Sequence, residues 1–231
     1  MQVVAAADAR YGAPNLRLDG GTALAAFHLG HRVSKDLDFF ADYQVNAAAF
    51  AEVVREVAEE RGFEMRPTRA RSMGFAQFIA RDPEAGIEVQ LDFAAASPFH
   101  LEERDVAAEG IQVSSYRDLC AGKLHAICDR YEPRDYVDLH AILTRPDHDA
   151  NQADEPVIRD RFRGMVADLM QTDPGLDALL VGNAVERGRA RPIVARLPYT
   201  LFIDIDDDAM QRTIGICADE AANIAAAQKF G

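Results

Sequence analysis

Three groups of residues in this 231-residue chain have types and spacings that could do phosphoryl chemistry. Gly20-Gly21-Thr22 leads into a helix-favouring run, TALAAFHL. Paired glycines let a backbone approach a ligand closely, and the first N–H groups of a helix lack intrahelical acceptors. The pair therefore makes a seat for phosphate, with the Thr22 hydroxyl beside it. Asp36-Leu37-Asp38 follows. On a strand, alternate side chains share a face, so both carboxylates point one way and Leu37 the other, with the aspartate Cα atoms ~6.5–7 Å apart. Such carboxylates can converge on one or two divalent ions, and two ions ~3.5–4 Å apart clamp the attacking and leaving oxygens of phosphoryl or nucleotidyl transfer. Asp92 offers the third carboxylate. In GIEVQLDF it shares a face with Glu88 and Gln90, while Ile87, Val89, Leu91 and Phe93 take the other. Each piece alone has an ordinary reading, as a turn, a solvated strand edge or a surface acid. Their order and spacing together favour nucleotidyl transfer.

The elements that must position these residues can be read from periodicity. TALAAFHL predicts a short helix over 22–29, stopped by Gly30, and DLDFF predicts a strand over 36–40. Residues 46–61 predict an amphipathic helix with Phe50, Val53, Val54 and Val57 on one face, ended by Gly62. FEMRPTRA, GFAQFIA and GIEVQLDF predict successive strands, with turns at Arg71-Ser72 and at 83–86. After about Gln112 the character becomes helical: Ser115 precedes one helix, Pro133 opens the next, and 146–156 forms a polar loop. LFIDIDDDAM, 201–210, reads either as a helix start or as a loop. The expectation is an α+β fold: a mixed sheet with flanking helices over 1–112, then a helical region over 113–231.

Bulk properties exclude several classes. A hydrophobic share of 48% with 27% charged residues belongs to a globular chain. No apolar run approaches the ~20 residues that cross a bilayer. MQVVAAADAR has no basic start of the kind a signal peptide carries, so no membrane partner and a cytoplasmic location are expected. Cys120, Cys128 and Cys217 lack zinc-binding spacing and suit a reducing compartment. The net charge of −13 counts against simple nucleic-acid binding. Arginines do cluster at 61, 66, 69 and 71 and again at 187, 189, 191 and 196, as a phosphate-binding patch or a solvated face. His28 and His31 lack a third ligand and read as packing or surface histidines. No nucleophile elbow surrounds Ser97, Ser114 or Ser115, and no dinucleotide or Walker-type glycine loop is present.

GGTALAAFHLGHRVSKDLDFF, from Gly20 to Phe40, resembles the nucleotidyltransferase signature of the AbiEii/AbiGii toxin family within the DNA polymerase β-like superfamily. KLHAICDRYEPRDYVDLHAIL, from Lys123 to Leu143, resembles that family's downstream lysine and arginine-aspartate motif. The resemblance covers about residues 16–143. It implies that Gly20, Gly21 and Thr22 hold the triphosphate of an NTP substrate, and that Asp36, Asp38 and Asp92 bind Mg2+, with two ions accommodated. Lys123 and Arg134 would serve the nucleotide. Asp138 would be the catalytic carboxylate of the downstream motif, supported by Arg130 and Asp135. The residues themselves leave Lys123 two readings, because its apolar neighbours also suit a lysine that snorkels from a partly buried helix onto an acid.

The expected activity is magnesium-dependent transfer of an NMP from an NTP to an acceptor hydroxyl. The resemblance implies a toxin of a toxin–antitoxin or abortive-infection pair, with tRNA as acceptor and a cognate antitoxin as partner. Two alternatives stand beside it. Transfer to a protein or small molecule suits the acidic charge better, and a non-catalytic nucleotide-binding protein would keep the fold without turnover.

Overall fold

The alternation around the aspartates is realised as two parallel neighbouring strands, β2 (Asp36–Asp42) and β5 (Ile87–Ala96), paired Asp36↔Gln90 through Asp42↔Ala96. The computed structural model describes residues 1–12, 16–42, 46–68, 74–107, 110–146, 153–189, 191–197 and 200–230. The expected turn at Arg71-Ser72, two arginines of the first cluster (69 and 71) and most of the polar loop after 146 lie outside the described residues. Two compact units result. Met1–Phe27 with Ser34–Ser115 form the first, and His28–Val33 with Tyr116–Gly231 form the second. Thus the short segment His28–Val33 leaves the first unit and joins the second, a transfer that nothing in its local pattern signals.

The first unit is a mixed seven-stranded sheet in the order β3-β4-β5-β2-β1-β7-β6. Its other strands are β1 (Arg17–Asp19), β3 (Glu64–Pro67), β4 (Phe75–Asp82), β6 (Asp105–Val106) and β7 (Gln112–Val113). β2–β5 and β1–β7 pair in parallel, and the remaining neighbours are antiparallel. Helix α1 (Gln2–Tyr11) packs on α3 (Ala47–Glu60), which lies against β3, β4 and β5. Asn46 caps α3 by accepting the Ala49 N–H at 3.1 Å. Phe50, Val54 and Val57 are buried as the helical period requires, and Val53 is half-buried at the edge of that face. Phe50 meets Phe93 edge-on at 5.7 Å and Tyr11 at 5.5 Å, while Phe39 stacks on Phe93 at 5.4 Å.

The expected helix over 22–29 begins earlier and changes character. An α-helical turn, α2 (Gly20–Ala23), widens into a π-helical turn over Leu24–Leu29, which Gly30 ends at φ +61°.

The second unit contains α4 (Tyr116–Asp129), α5 (Pro133–Thr144), α6 (Glu155–Thr172), α7 (Ala178–Glu186) and α8 (Asp207–Phe230). Pro133 occupies the first turn of α5, and Asp154 and Asp177 cap α6 and α7 through the Val157 and Leu180 N–H groups. α5 is the central element, with every residue from Asp135 to Thr144 buried. The ambiguous acidic run resolves into both readings. Leu201 bridges Arg32 in extended form, and Asp207 begins α8 while its Oδ1 accepts the N–H groups of Ile193 and Val194 at 2.7 and 2.9 Å. Among the described residues no helix is long and apolar enough to cross a membrane.

Candidate active site

Strand register, rather than any one strand, builds the acidic site. Asp19 on β1 lies opposite Asp38 on β2, Asp38 opposite Asp92 on β5, and Asp92 opposite Gln77 on β4. Four adjacent strands thus contribute one straight row of polar side chains, with ~4.7–4.9 Å between neighbouring strands. The next residue along each strand faces the other way and gives the row Leu18, Phe39, Phe93 and Ala76, all at most 1% exposed. Burial of this apolar row fixes the acids on the opposite face, since a one-residue slip would exchange the two. Asp36, two residues before Asp38, falls on the acidic face in register with Gln90.

The carboxylates differ in their partners. Asp92 Oδ1 accepts the side-chain amides of Gln77 at 2.8 Å and Gln90 at 3.2 Å, and Gln77 is oriented by the Thr68 hydroxyl, which donates to its Oε1 at 2.7 Å. Asp19 is committed to structure. It caps α2 by accepting the Gly20 N–H at 2.6 Å and takes the Ser114 hydroxyl at 2.5 Å. The Thr22 hydroxyl donates to the Asp36 carbonyl oxygen, tying the glycine turn to the head of β2.

Gly20 is the tightest point. Its φ of +70° is one that L side chains rarely adopt, and a Cβ there would lie 2.1 Å from Asp38 Oδ2. Gly20→Ala is therefore expected to lose at least ~1–2 kcal/mol of stability from the left-handed backbone alone. It should also displace the Asp38 carboxylate. Denaturant unfolding and nucleotidyl-transfer rates on the same preparation should both fall.

The donor set suits magnesium. Asp36, Asp38 and Asp92 offer hard oxygen ligands, and Mg2+ is commonly held by one or two carboxylates plus substrate phosphates rather than by a full protein cage. Like charges directly opposite each other across strands are unfavourable, so Asp38 and Asp92 gain from a shared cation. Among the described residues no three histidine, cysteine or acidic side chains already converge as a ligand set. The fit therefore rests on donor type and register.

A second cluster, wholly inside the second unit, holds the residues of the downstream motif. Asp138 is fully buried and accepts Arg32 Nε at 2.6 Å and Nη2 at 2.9 Å, His31 Nε2 at 2.7 Å and Lys123 Nζ at 2.8 Å. Asp135, also fully buried, faces Lys123 at 3.3 Å and Arg130 at 3.0 Å. Burial by itself would raise the Asp138 pKa, but Lys123, Arg32 and His31 outweigh it and hold the carboxyl far below its ordinary range. Burial likewise works against the Lys123 charge, and Asp138 and Asp135 overcome it and raise its pKa. Lys123 is thus a buried lysine paired with two acids. Arg134 is half-buried, close enough to Arg32 for its charge to oppose the charge there.

Sequence reasoning passed over several members of these clusters. Asp19 carried a signal, an N-cap aspartate just before the glycine pair. Gln77 and Ser114 carried none, and neither did the pairing of His31 and Arg32 with an acid more than a hundred positions away. Three arginines of the second cluster have partners within the fold. Arg187 donates to the Ile127 and Cys128 carbonyls, Arg189 pairs with Glu186 at 3.3 Å, and Arg191 lies 4.3 Å from the Tyr131 ring centroid.

The family described as "Nucleotidyl transferase AbiEii toxin, Type IV TA system" matches residues 3–210. No curated protein matches the chain. Among solved structures, MenT4, a nucleotidyltransferase toxin from Mycobacterium tuberculosis H37Rv, is similar in fold. Its TM-score is 0.57 at 22% identity, over 96% of this chain and 81% of that one. Two Helicobacter pylori structures are more distant, both at 17% identity. One is described as a candidate nucleotidyltransferase (TM-score 0.49, 100% of this chain and 93% of that one), and the other is JHP933 (TM-score 0.48, 96% and 87%).

Proposed function

Because the chain belongs to the AbiEii nucleotidyl transferase toxin family, we propose that it transfers an NMP from an NTP to a hydroxyl of tRNA in the cytoplasm, in a magnesium-dependent reaction restrained by a cognate antitoxin. The observation that carries the chemistry is the register Asp38↔Asp92, with Asp36 on the same face and the glycine turn packed against Asp38. Asp36, Asp38 and Asp92 hold the metal, and Gly20, Gly21 and Thr22 receive the triphosphate. Bound there, Mg2+ supplies neutralisation of phosphate charge and polarisation of the phosphoryl oxygens. The acceptor oxygen forms a bond to the α-phosphorus, the bond to the bridging oxygen breaks, and pyrophosphate leaves. A carboxylate of the row takes the hydroxyl proton. In the second unit, Asp135 and Asp138 hold Lys123 of the downstream motif in place.

A second acceptor class is favoured by one observation. A net charge of −13 opposes a polyanionic acceptor and suits a protein or small molecule better. One experiment separates the readings. Each labelled NTP is incubated with Mg2+ and either total tRNA or protein extract, beside the Asp36→Ala/Asp38→Ala double variant. Label on tRNA that vanishes in the variant is the expected result. Label on protein or small molecules would move the acceptor. Retention of labelling by the double variant would remove the carboxylate mechanism altogether.

A further inference from the structure

The polar row of the first unit does not end at Gln77. Just past Pro67, the Thr68 N–H donates to the Gln77 carbonyl at 3.1 Å, so the pairing of β3 with β4 runs one residue further and sets Thr68 opposite Gln77. The row then reads Thr68, Gln77, Asp92, Asp38 and Asp19 across β3, β4, β5, β2 and β1. Gln77 is 6% exposed, and a buried amide is costly unless both of its ends are paired. Both are. Its Oε1 accepts the Thr68 hydroxyl at 2.7 Å, and its Nε2 donates to Asp92 Oδ1 at 2.8 Å. Only this orientation of the amide satisfies the network, since the reverse would set Oε1 against a carboxylate oxygen, two acceptors face to face.

Asp92 needs such a hold. It faces Asp38 in register, and like charges so placed repel. Without a cation, that repulsion favours turning the Asp92 carboxyl away from Asp38. The Gln77 amide, fixed on a neighbouring strand, resists the turn, and a hydrogen bond to an ionised group is roughly twice as strong as a neutral one. Gln77 cannot simply follow the carboxyl, because Thr68 holds the far side of its amide. Gln90, half-buried and two residues before Asp92 on the same face of β5, adds longer contacts to both carboxylate oxygens at 3.2 and 3.3 Å. The Thr68 hydroxyl proton goes to Gln77, so its influence on Asp92 passes through that amide.

We propose that Gln77 and Thr68 are positioning residues for Asp92: together they hold its carboxylate in one orientation before a divalent cation arrives, and so set the affinity of the site for that cation. The inference rests on the reading of Asp92 as a metal ligand and adds to it the residues that aim the ligand. Groups that orient a metal ligand typically change metal affinity or activity by roughly 10–100-fold when they are removed.

The test uses Mn2+, a paramagnetic stand-in for Mg2+, titrated into the full chain at pH 7 with free Mn2+ read by electron paramagnetic resonance. Gln77→Met, which keeps the length of the side chain and removes the amide, should raise the Kd for Mn2+ about tenfold. Thr68→Val should raise it by a smaller factor, and Thr68→Ser, which restores the hydroxyl, should return it to the wild-type value. On the Gln77→Met background Thr68→Val should add nothing, the non-additivity of two groups acting in one network. In nucleotidyl transfer the same variants should raise the Mg2+ concentration needed for half-maximal rate and leave the KM for NTP at saturating metal unchanged. Melting temperature without metal confirms a folded sample, and Thr68→Val, at an exposed position, should leave it where it was. Mn2+ binding that Asp92→Asn weakens but Gln77→Met and Thr68→Val leave unchanged would overturn the inference alone, as would a Thr68→Val effect that adds in full to that of Gln77→Met. Absence of saturable Mn2+ binding by the wild type, or binding that Asp92→Asn leaves unchanged, would overturn the metal reading of Asp92 and the inference with it.

Discussion

Asp38→Asn is expected to reduce nucleotidyl transfer by about 1,000-fold or more, roughly 4 kcal/mol of transition-state stabilisation, while leaving the metal-free protein as stable as before or slightly more so. Asp38 is the middle of the acidic row, opposite Asp19 on one side and Asp92 on the other. Like charges directly opposite across strands cost the ~0.2–1 kcal/mol typical of cross-strand pairs. Asparagine keeps the shape against which Gly20 packs, so the fold has no reason to shift. It removes a negative oxygen from the proposed metal site, where charge neutralisation of the phosphates is the main catalytic contribution. Two measurements settle it: steady-state transfer with each NTP, and melting temperature with and without Mg2+. The wild type should gain stability on adding Mg2+ and the variant should not. A variant that loses activity and melts several degrees lower without metal would instead mark Asp38 as structural.

Most of the first unit's candidate site was legible in its local parts. The D-x-D pair needs only strand periodicity, the glycine turn needs only its two residues, and the alternation of GIEVQLDF put Asp92 on the polar face. The row itself was not legible. Pairing Asp38 with Asp92 requires β2 and β5 to be parallel neighbours in one particular register, information that resides in the burial of Phe39 against Phe93 across the sheet. The same limit hid Asp19, whose strand is only three residues long. Ile87 shows the converse, since alternation placed it with the core residues of β5 yet it is 58% exposed at the strand's start. Helix α1 escaped because its apolar residues are mainly alanines, which give little periodic contrast.

In the second unit the limit is sharper. Lys123, Asp135 and Asp138 sit on two consecutive helices, and the spacing of the two aspartates does predict a shared face. Nothing local says that Arg32 and His31 will come to the same point, or that they, Lys123, Asp135 and Asp138 will all be buried there. Buried charge clusters are assembled by tertiary contact, and a sequence pattern sees only one wall of them.

That burial gives the second large prediction. Asp138→Asn should destabilise the protein by about 3–5 kcal/mol, the usual result of removing one partner from a buried ion pair. In the variant, Lys123, Arg32 and His31 would keep their positions and lose the carboxylate that four of their donors address. Asp135 would remain as the only carboxylate facing Lys123 among the contacts described. The pH dependence supplies a check that a simple packing defect would not reproduce. The Asp138 pKa is depressed in the folded state, so its contribution is complete above the ordinary carboxylate value of ~3.9. As pH falls below that value the unfolded chain takes up a proton while the folded one does not, and the contribution drains away towards the depressed folded value. Urea unfolding at pH 7 and at pH 3 should therefore show a wide gap between wild type and variant that narrows in acid. A gap of equal size at both pH values would mean that the lost stability is not that of the ionised carboxylate.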